Sequence, residues 1–289
     1  MSSAGATLIG FSAIVMWSLL AALTAASGPI PPFQMNAMCF AIGALAAALA
    51  WVREPARAKA LRQPTLVWLH GVAGLFGYHA LYFAALRIAP PAEASLVNYL
   101  WPLLIVVFSS LLPGERLRGF HIAGALLGFV GVAALSWSAD LAARPEHALG
   151  YALAFAAALF WAGYSVLSRR MASVPTDAVV GFCAITAILS LAAHLAFETT
   201  IWPQGGGAWA AVIALGLGPV GAAFYAWDIG CKRGDIRMLG VSAYAAPLLS
   251  TIALVVSGYA QATASLWLAC ALIVSGAIVA SADKLRRGT

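Results

Sequence analysis

Ten uncharged apolar stretches run almost back to back through the 289 residues of this chain, at 6–26, 33–52, 66–86, 94–112, 119–138, 148–168, 178–197, 207–227, 238–258 and 262–282. Crossing the hydrocarbon core of a bilayer takes about 20 apolar residues in a helix. None of the ten contains Asp, Glu, Lys or Arg, and the joints between them are too short to hold a soluble domain. These features predict an all-α integral membrane protein of ten transmembrane helices. Sixty-three per cent of residues are hydrophobic and 9% charged, and the mean hydropathy is +0.91, which suits a protein solvated by lipid.

The sixteen Lys and Arg residues report topology and give no sign of a nucleic-acid partner. With the amino terminus inside, the inner connections hold Arg53, Arg57, Lys59, Arg62, Arg116, Arg118, Arg169, Arg170, Lys232, Arg233 and Arg237, and the tail adds Lys284, Arg286 and Arg287. The other side keeps only Arg87 and Arg144. The positive-inside rule accepts this split and rejects its reverse. Both termini are therefore expected in the cytoplasm, with the chain multi-pass in a bacterial-type inner membrane. The first span lacks a basic lead-in, so no cleavable signal peptide is expected. The pattern is compatible with a monomer and leaves the oligomeric state open.

A repeat of about 145 residues runs through the chain. Gly71, Tyr99, Pro102, Leu103, Leu104, Gly131 and Ser136 align with Gly216, Tyr244, Pro247, Leu248, Leu249, Gly276 and Ser281, and one residue out of register Trp17 aligns with Trp161. The first copy is expected over 1–138, a linker over 139–147 and the second copy over 148–289. Five spans per copy is odd, so the second copy enters the membrane upside down. Inverted repeats are typical of secondary transporters, whose site lies between the halves near the midplane. Pro102, Pro219 and Pro247 fall inside spans and predict kinks. Glycines 71, 74 and 77, and 124, 128 and 131, predict close helix packing.

Charge inside the spans is almost absent, which disfavours a polycationic substrate, a phosphorylated one, and catalysis by paired carboxylates. No HExxH or GxSxG motif occurs, Cys39, Cys183, Cys231 and Cys270 form no CxxC pair, and no metal or other cofactor is expected. The candidate cavity residues are aromatic or mildly polar: Trp17, Tyr78, His79, Tyr82, Asn98, Tyr99, Trp101, Trp161, Tyr164, Trp227 and Tyr244. Tyr78 and Tyr82, four apart, share a helix face. Such a wall suits a neutral or zwitterionic ligand with a flat apolar side chain. The competing reading of any one aromatic is packing or interfacial anchoring, for which Trp51, Trp68 and Trp202 are placed. His79 and Asp228 are candidates for ion coupling, Asp228 competing with a structural pair to Lys232 at i+4. Glu93 reads as a helix-start carboxylate favoured by the dipole, and Glu115 as a loop residue beside Arg116 and Arg118.

Particular segments resemble the EamA branch of the drug/metabolite transporter superfamily: Ala-Thr-Leu-Ile-Gly at 6–10 with Trp17-Ser18, Val-Asn-Tyr-Leu-Trp-Pro at 97–102, the glycine-rich run 124–132, Phe160-Trp161-Ala162 with Tyr164, Ala226-Trp227 with Gly230, and Tyr244 with Pro247. The resemblance covers essentially the whole chain. It implies two inverted five-helix repeats around a central cavity and efflux of aromatic and other hydrophobic amino acids, with Trp17, Tyr99, Trp101, Trp161 and Trp227 along the path. Two departures stand out. The Gly114-Glu115 turn has no counterpart at Tyr259-Ala260, and Asp228 replaces an uncharged amide. Export of another metabolite or a drug, or a non-transporting structural role, are the alternatives.

Overall fold

The computed structural model describes residues 1–113, 117–135, 145–256 and 263–280, all helix, turn or coil and without a strand among them. Glu115, Arg116, Ser136, Arg144, Tyr259, Ala260, Ser281, Lys284, Arg286 and Arg287 lie outside the described residues. Among the described residues, seven helices are long and apolar enough to cross a membrane: α1 (Ser3–Ala26), α2 (Pro32–Ala50), α3 (Thr65–Ile88), α6 (Ala148–Arg170), α7 (Ala178–Phe197), α8 (Gly205–Arg233) and α9 (Ile236–Ala253). Three shorter apolar helices lie among them in chain order: α4 (Glu93–Ser109), α5 (Gly119–Ala134) and α10 (Ala264–Ala280).

Helices are the outcome because lipid offers the backbone no hydrogen bonds, so each segment satisfies its own. Their ends are set by local chemistry. Ser2 Oγ accepts from Gly5 N at 3.2 Å to cap α1, and Asp235 Oδ1 accepts from Arg237 N and Met238 N, both at 3.2 Å, to cap α9. The start of α2 is capped from across the bundle. Glu198, just past α7, accepts from Phe33 N and Gln34 N at 3.1 Å, and Arg87 and His194 hold the same carboxylate at 3.0 Å. Arg87, one of the two basic residues expected on that side, thus ties α3 to the α2–α7 pair.

Beside the broad contacts of α4 with α6 and of α2 with α8, five further pairings are made: α1 with α8, α3 with α6, α2 with α7, α4 with α9 and α5 with α10. Advancing every helix number by five within the set of ten maps these five pairings onto themselves. Irregularities recur in the same way. Wide i→i+5 turns occupy Ala73–Gly77 in α3 and Gly218–Ala222 in α8, bounds that differ by 145 at each end. Breaks at Tyr99–Leu100 in α4 and Ala243–Tyr244 in α9 fall within one residue of matching places. The prolines mark these features differently from a simple mid-span kink. Pro102 and Pro247 lie just after the breaks, where a missing N–H costs little, and Pro219 lies inside the α8 wide turn.

Small residues let the pairs close up. A Cβ on Gly230 would lie 2.7 Å from Gly10 Cα, so α1 and α8 cross backbone to backbone. Gly71, Gly74 and Gly77 sit under the rings of Phe182, Tyr164 and Phe160, and Gly124 faces Gly276 on α10, as the small-residue spacing predicted.

Several placements correct the sequence reading. Glu93 is buried and accepts from Tyr151 Oη of α6, so it joins two helices as well as opening one. Trp68 packs edge-on to Phe182 at 5.6 Å, a packing role in place of an anchor, whereas Trp202 is 57% exposed and stacks on Trp209. Helix α8 runs on past residue 227 and carries Asp228 and Lys232 with it, because the two neutralise each other at 2.9 Å.

Candidate functional site

Four tryptophans from four helices meet at the centre of the bundle. Trp17 of α1, Trp101 of α4, Trp161 of α6 and Trp227 of α8 touch in all six pairs, with centroids between 5.1 Å and 6.4 Å apart. Four of the six contacts are edge-to-face, the arrangement the ring quadrupole favours. Chain irregularity places two of them: Trp17 ends the first part of α1 just before a break at Ser18–Leu19, and Trp101 opens the second part of α4.

Indole N–H groups fix the cluster. Trp17 Nε1 donates to the Pro219 carbonyl at 3.0 Å, and Trp227 Nε1 donates to Ser165 Oγ at 3.0 Å. The acceptor of the first bond lies inside the wide turn of α8. His79 uses the matching turn in its own helix, with Nδ1 2.6 Å from the Leu75 carbonyl. Its ring lies edge-on to Phe40 at 5.4 Å and contacts Phe83 and Phe224.

A polar rim borders the tetrad on the side of the α3–α4 connection. Tyr78 contacts Trp161 at 5.4 Å and stacks on Tyr82 at 6.0 Å. Asn98 Nδ2 donates to Tyr78 Oη at 3.1 Å, and Tyr82 Oη lies 2.8 Å from Ser95 Oγ. Asn98 is 4% exposed, and its Oδ1 is buried without a hydrogen-bond partner. A buried polar atom of this kind carries a cost that a bound ligand's donor would relieve. Tyr78, His79 and Tyr82 remain half-buried while Trp101, Trp161 and Trp227 are buried, so the floor is apolar and the rim accessible.

On the opposite side of the tetrad the bundle is tied by charge. Asp228 Oδ2 accepts from Lys232 Nζ at 2.9 Å and from Thr176 Oγ1 at 2.7 Å, while Lys232 Nζ also donates to the Val174 carbonyl at 2.9 Å. These bonds staple α8 to the α6–α7 connection, which Arg57 also holds through Asp177 at 3.0 Å.

The structure thus brings together Trp17, Tyr78, His79, Tyr82, Asn98, Trp101, Trp161, Tyr164 and Trp227. Tyr164 stacks on Trp161 at 5.2 Å. It does not bring Tyr244 with them. That ring is fully buried in a separate apolar cluster of α4, α5, α9 and α10, against Gly128, and Tyr99 packs on the same cluster. Phe40, Ser95 and Ser165 were not singled out in the sequence. Phe40 stacks on Phe224 at 5.3 Å and joins α2 to the site; a phenylalanine among many carries no distinguishing signal. Cys39, Cys183 and Cys231 are buried and free, and no cluster of His, Cys, Asp or Glu able to hold a metal occurs among the described residues.

The sequence profile of the EamA-like transporter family matches this chain twice, over residues 4–137 and 148–282. The chain belongs to that family. It is 55% identical over 283 residues to the aromatic amino acid exporter YddG of Ancylobacter novellus, covering 97% of this chain and 98% of the relative. The YddG proteins of Escherichia coli and Salmonella typhimurium are each 26% identical to it over nearly their whole lengths. A protein of known crystal structure, 55% identical, superposes with a TM-score of 0.92 over 97% of this chain and 98% of its own. Both family and relatives are transporters, so this chain is a multi-pass membrane transporter and not an enzyme.

Proposed function

We propose that this transporter exports aromatic and bulky apolar amino acids from the cytoplasm by alternating access, with the tryptophan tetrad and its polar rim as the substrate site. The observation that carries the reading is the tetrad itself: four rings from both halves of the chain converge under a rim of two tyrosines and an asparagine with one unsatisfied amide atom. The side chain of phenylalanine or tryptophan would lie among the rings, and its ammonium and carboxylate would meet Asn98, Tyr78 and Tyr82. The relatives' names support the substrate class.

The architecture proposed is ten spans as two inverted five-helix repeats, 1–138 and 148–289, about a central cavity. The twofold exchange of packing partners, the paired wide turns and the double family match support it. Both termini lie in the cytoplasm and the membrane is the bacterial inner membrane, on the strength of the basic residues gathered at one end. The tetrad would form the point about which the halves rock.

A competition panel in proteoliposomes tests the substrate class. Radiolabelled phenylalanine flux should fall with excess tryptophan, tyrosine or leucine and persist with excess lysine or glutamate. Equal competition by lysine would remove the apolar floor from the account.

A further inference from the structure

Helices α3 and α6 pack closely over residues 78–88 but splay apart toward Thr65 and Arg170. The gap is a crevice of about 820 Å³ whose walls are Leu66 and Val67 on one side and Phe160 and Leu167 on the other. Leu66 is 68% exposed, and Phe160 and Leu167 each 44%, so the crevice opens sideways from the bundle and not toward the tetrad. An apolar cleft facing hydrocarbon has no water to fill it, and acyl chains are the solvent at that depth.

Its floor is closed by His70 and Tyr164, stacked at 4.8 Å, with His70 Nε2 3.1 Å from Ser168 Oγ. The mouth has the opposite character. Arg170 is exposed and lines it, using one guanidinium nitrogen on the Leu111 carbonyl at 2.6 Å. Facing it are Gln63, Pro64 and the start of α3, where the N–H groups of Thr65 and Leu66 precede the first helical bond, made by Val67 N to the Pro64 carbonyl at 2.9 Å. A guanidinium opposite a helix N-terminus is matched to a phosphate. Arg57, Lys59, Arg62 and Arg169 add positive charge at the same end of the bundle, against Glu54 and the paired Asp177.

We propose that the crevice is a phospholipid site, with one acyl chain between α3 and α6 above His70 and Tyr164, and an anionic headgroup on Arg170 and the α3 N-terminus. The site lies outside the substrate cage yet in contact with it. Tyr164 stacks on His70 on one side and on Trp161 on the other, so an acyl chain in the crevice presses on a ring that supports the tetrad. The bound lipid would hold α3 and α6 in the splayed arrangement, making transport sensitive to membrane composition.

Gly163 supplies the test, because it lines the crevice and a Cβ there would meet nothing within 4 Å. Gly163→Leu starts a side chain into the crevice from a clear Cβ position and favours the helix. The probes are phosphatidylglycerol and phosphatidylethanolamine, each with a photoreactive group on an acyl chain, incorporated into nanodiscs holding the purified full chain. Labelled peptides should map to 63–74 and 159–174, several-fold more with phosphatidylglycerol. Gly163→Leu should cut labelling there about tenfold, and Arg170→Gln should bring the two lipids to equal labelling. Ala73→Leu, from the opposite wall, provides a second filled crevice should Gly163→Leu not yield monodisperse protein. Unchanged labelling in a folded crevice-filling variant would overturn the acyl-chain assignment. Equal labelling of wild type by the two lipids would overturn the anionic headgroup. Neither result depends on what the protein transports.

Discussion

The indole N–H of Trp17 donates to the carbonyl of Pro219 at 3.0 Å, a bond between residues 202 positions apart that joins α1 to the wide turn of α8. The proline lies inside the turn, and the indole both bonds its carbonyl and floors the site. Substituting Trp17 by Phe keeps most of the ring and removes the bond. A bond of this kind contributes about 1 kcal/mol. Trp17→Phe is expected to unfold at a slightly lower temperature in detergent and to transport several-fold more slowly. A variant as fast as wild type would show that the bond has no part in the cycle.

Asn98 is expected to act on substrate affinity more than on stability, because its Oδ1 has no partner to lose and its Nδ2 bond to Tyr78 Oη contributes only about 1 kcal/mol. A hydrogen bond to a charged group contributes about 1.5–3 kcal/mol, or about ten- to a hundred-fold in affinity. Asn98→Leu should raise the KM for phenylalanine by that factor with unchanged protein yield. Initial rates over a range of substrate concentrations in proteoliposomes would show it. An unchanged KM would move the amino-acid backbone away from the rim.

Asp228 is expected to be structural. Breaking a buried ion pair from one side costs about 3–5 kcal/mol, whereas replacing both partners is often nearly neutral. Asp228→Asn alone should lower thermal stability sharply, and Asp228→Asn with Lys232→Met should recover most of it. Transport by the double variant should respond to a pH gradient as wild type does. Loss of that response in a folded double variant would make Asp228 a coupling residue.

The Gly10–Gly230 crossing predicts a packing defect of the opposite kind. A larger residue at 230 meets Gly10 Cα and the Leu239 side chain and must push α1 from α8, at a cost of about 1–3 kcal/mol. Gly230→Val should give protein that inserts, melts earlier and transports poorly, measured by yield, unfolding temperature and flux together. Full flux would mean that the two helices do not need this close approach.

Much of this architecture is legible in the sequence, because charge is forbidden where lipid is the solvent. Helix α7 begins and ends where the uncharged run 178–197 does. The wide turn at Ala73–Gly77 is less legible, having no proline, yet the repeat aligns Gly74 with Pro219 and could have revealed it. Helix rotation is where composition stops helping. Tyr99 and Tyr244 occupy matching positions and looked like cavity residues, but the α4 and α9 breaks lead both into the cluster around α5 and α10. Trp101, two residues on from Tyr99, faces the tetrad instead. Such a difference of direction depends on local unwinding that no residue type announces. The lateral crevice was equally hidden, since it arises from the angle between α3 and α6.

The aromatic cage is expected to carry aromatic amino acids. Counterflow measures it most directly: proteoliposomes loaded with unlabelled phenylalanine are diluted into a trace of labelled phenylalanine. Wild-type protein, His79→Ala and Trp101→Leu are compared at equal reconstituted amounts. Wild type should accumulate label transiently, and both variants should do so at under about a tenth of its rate while remaining monodisperse, a loss of over ~1.4 kcal/mol in transition-state stabilisation. Accumulation at the wild-type rate by both variants, or none by folded wild type, would contradict the account.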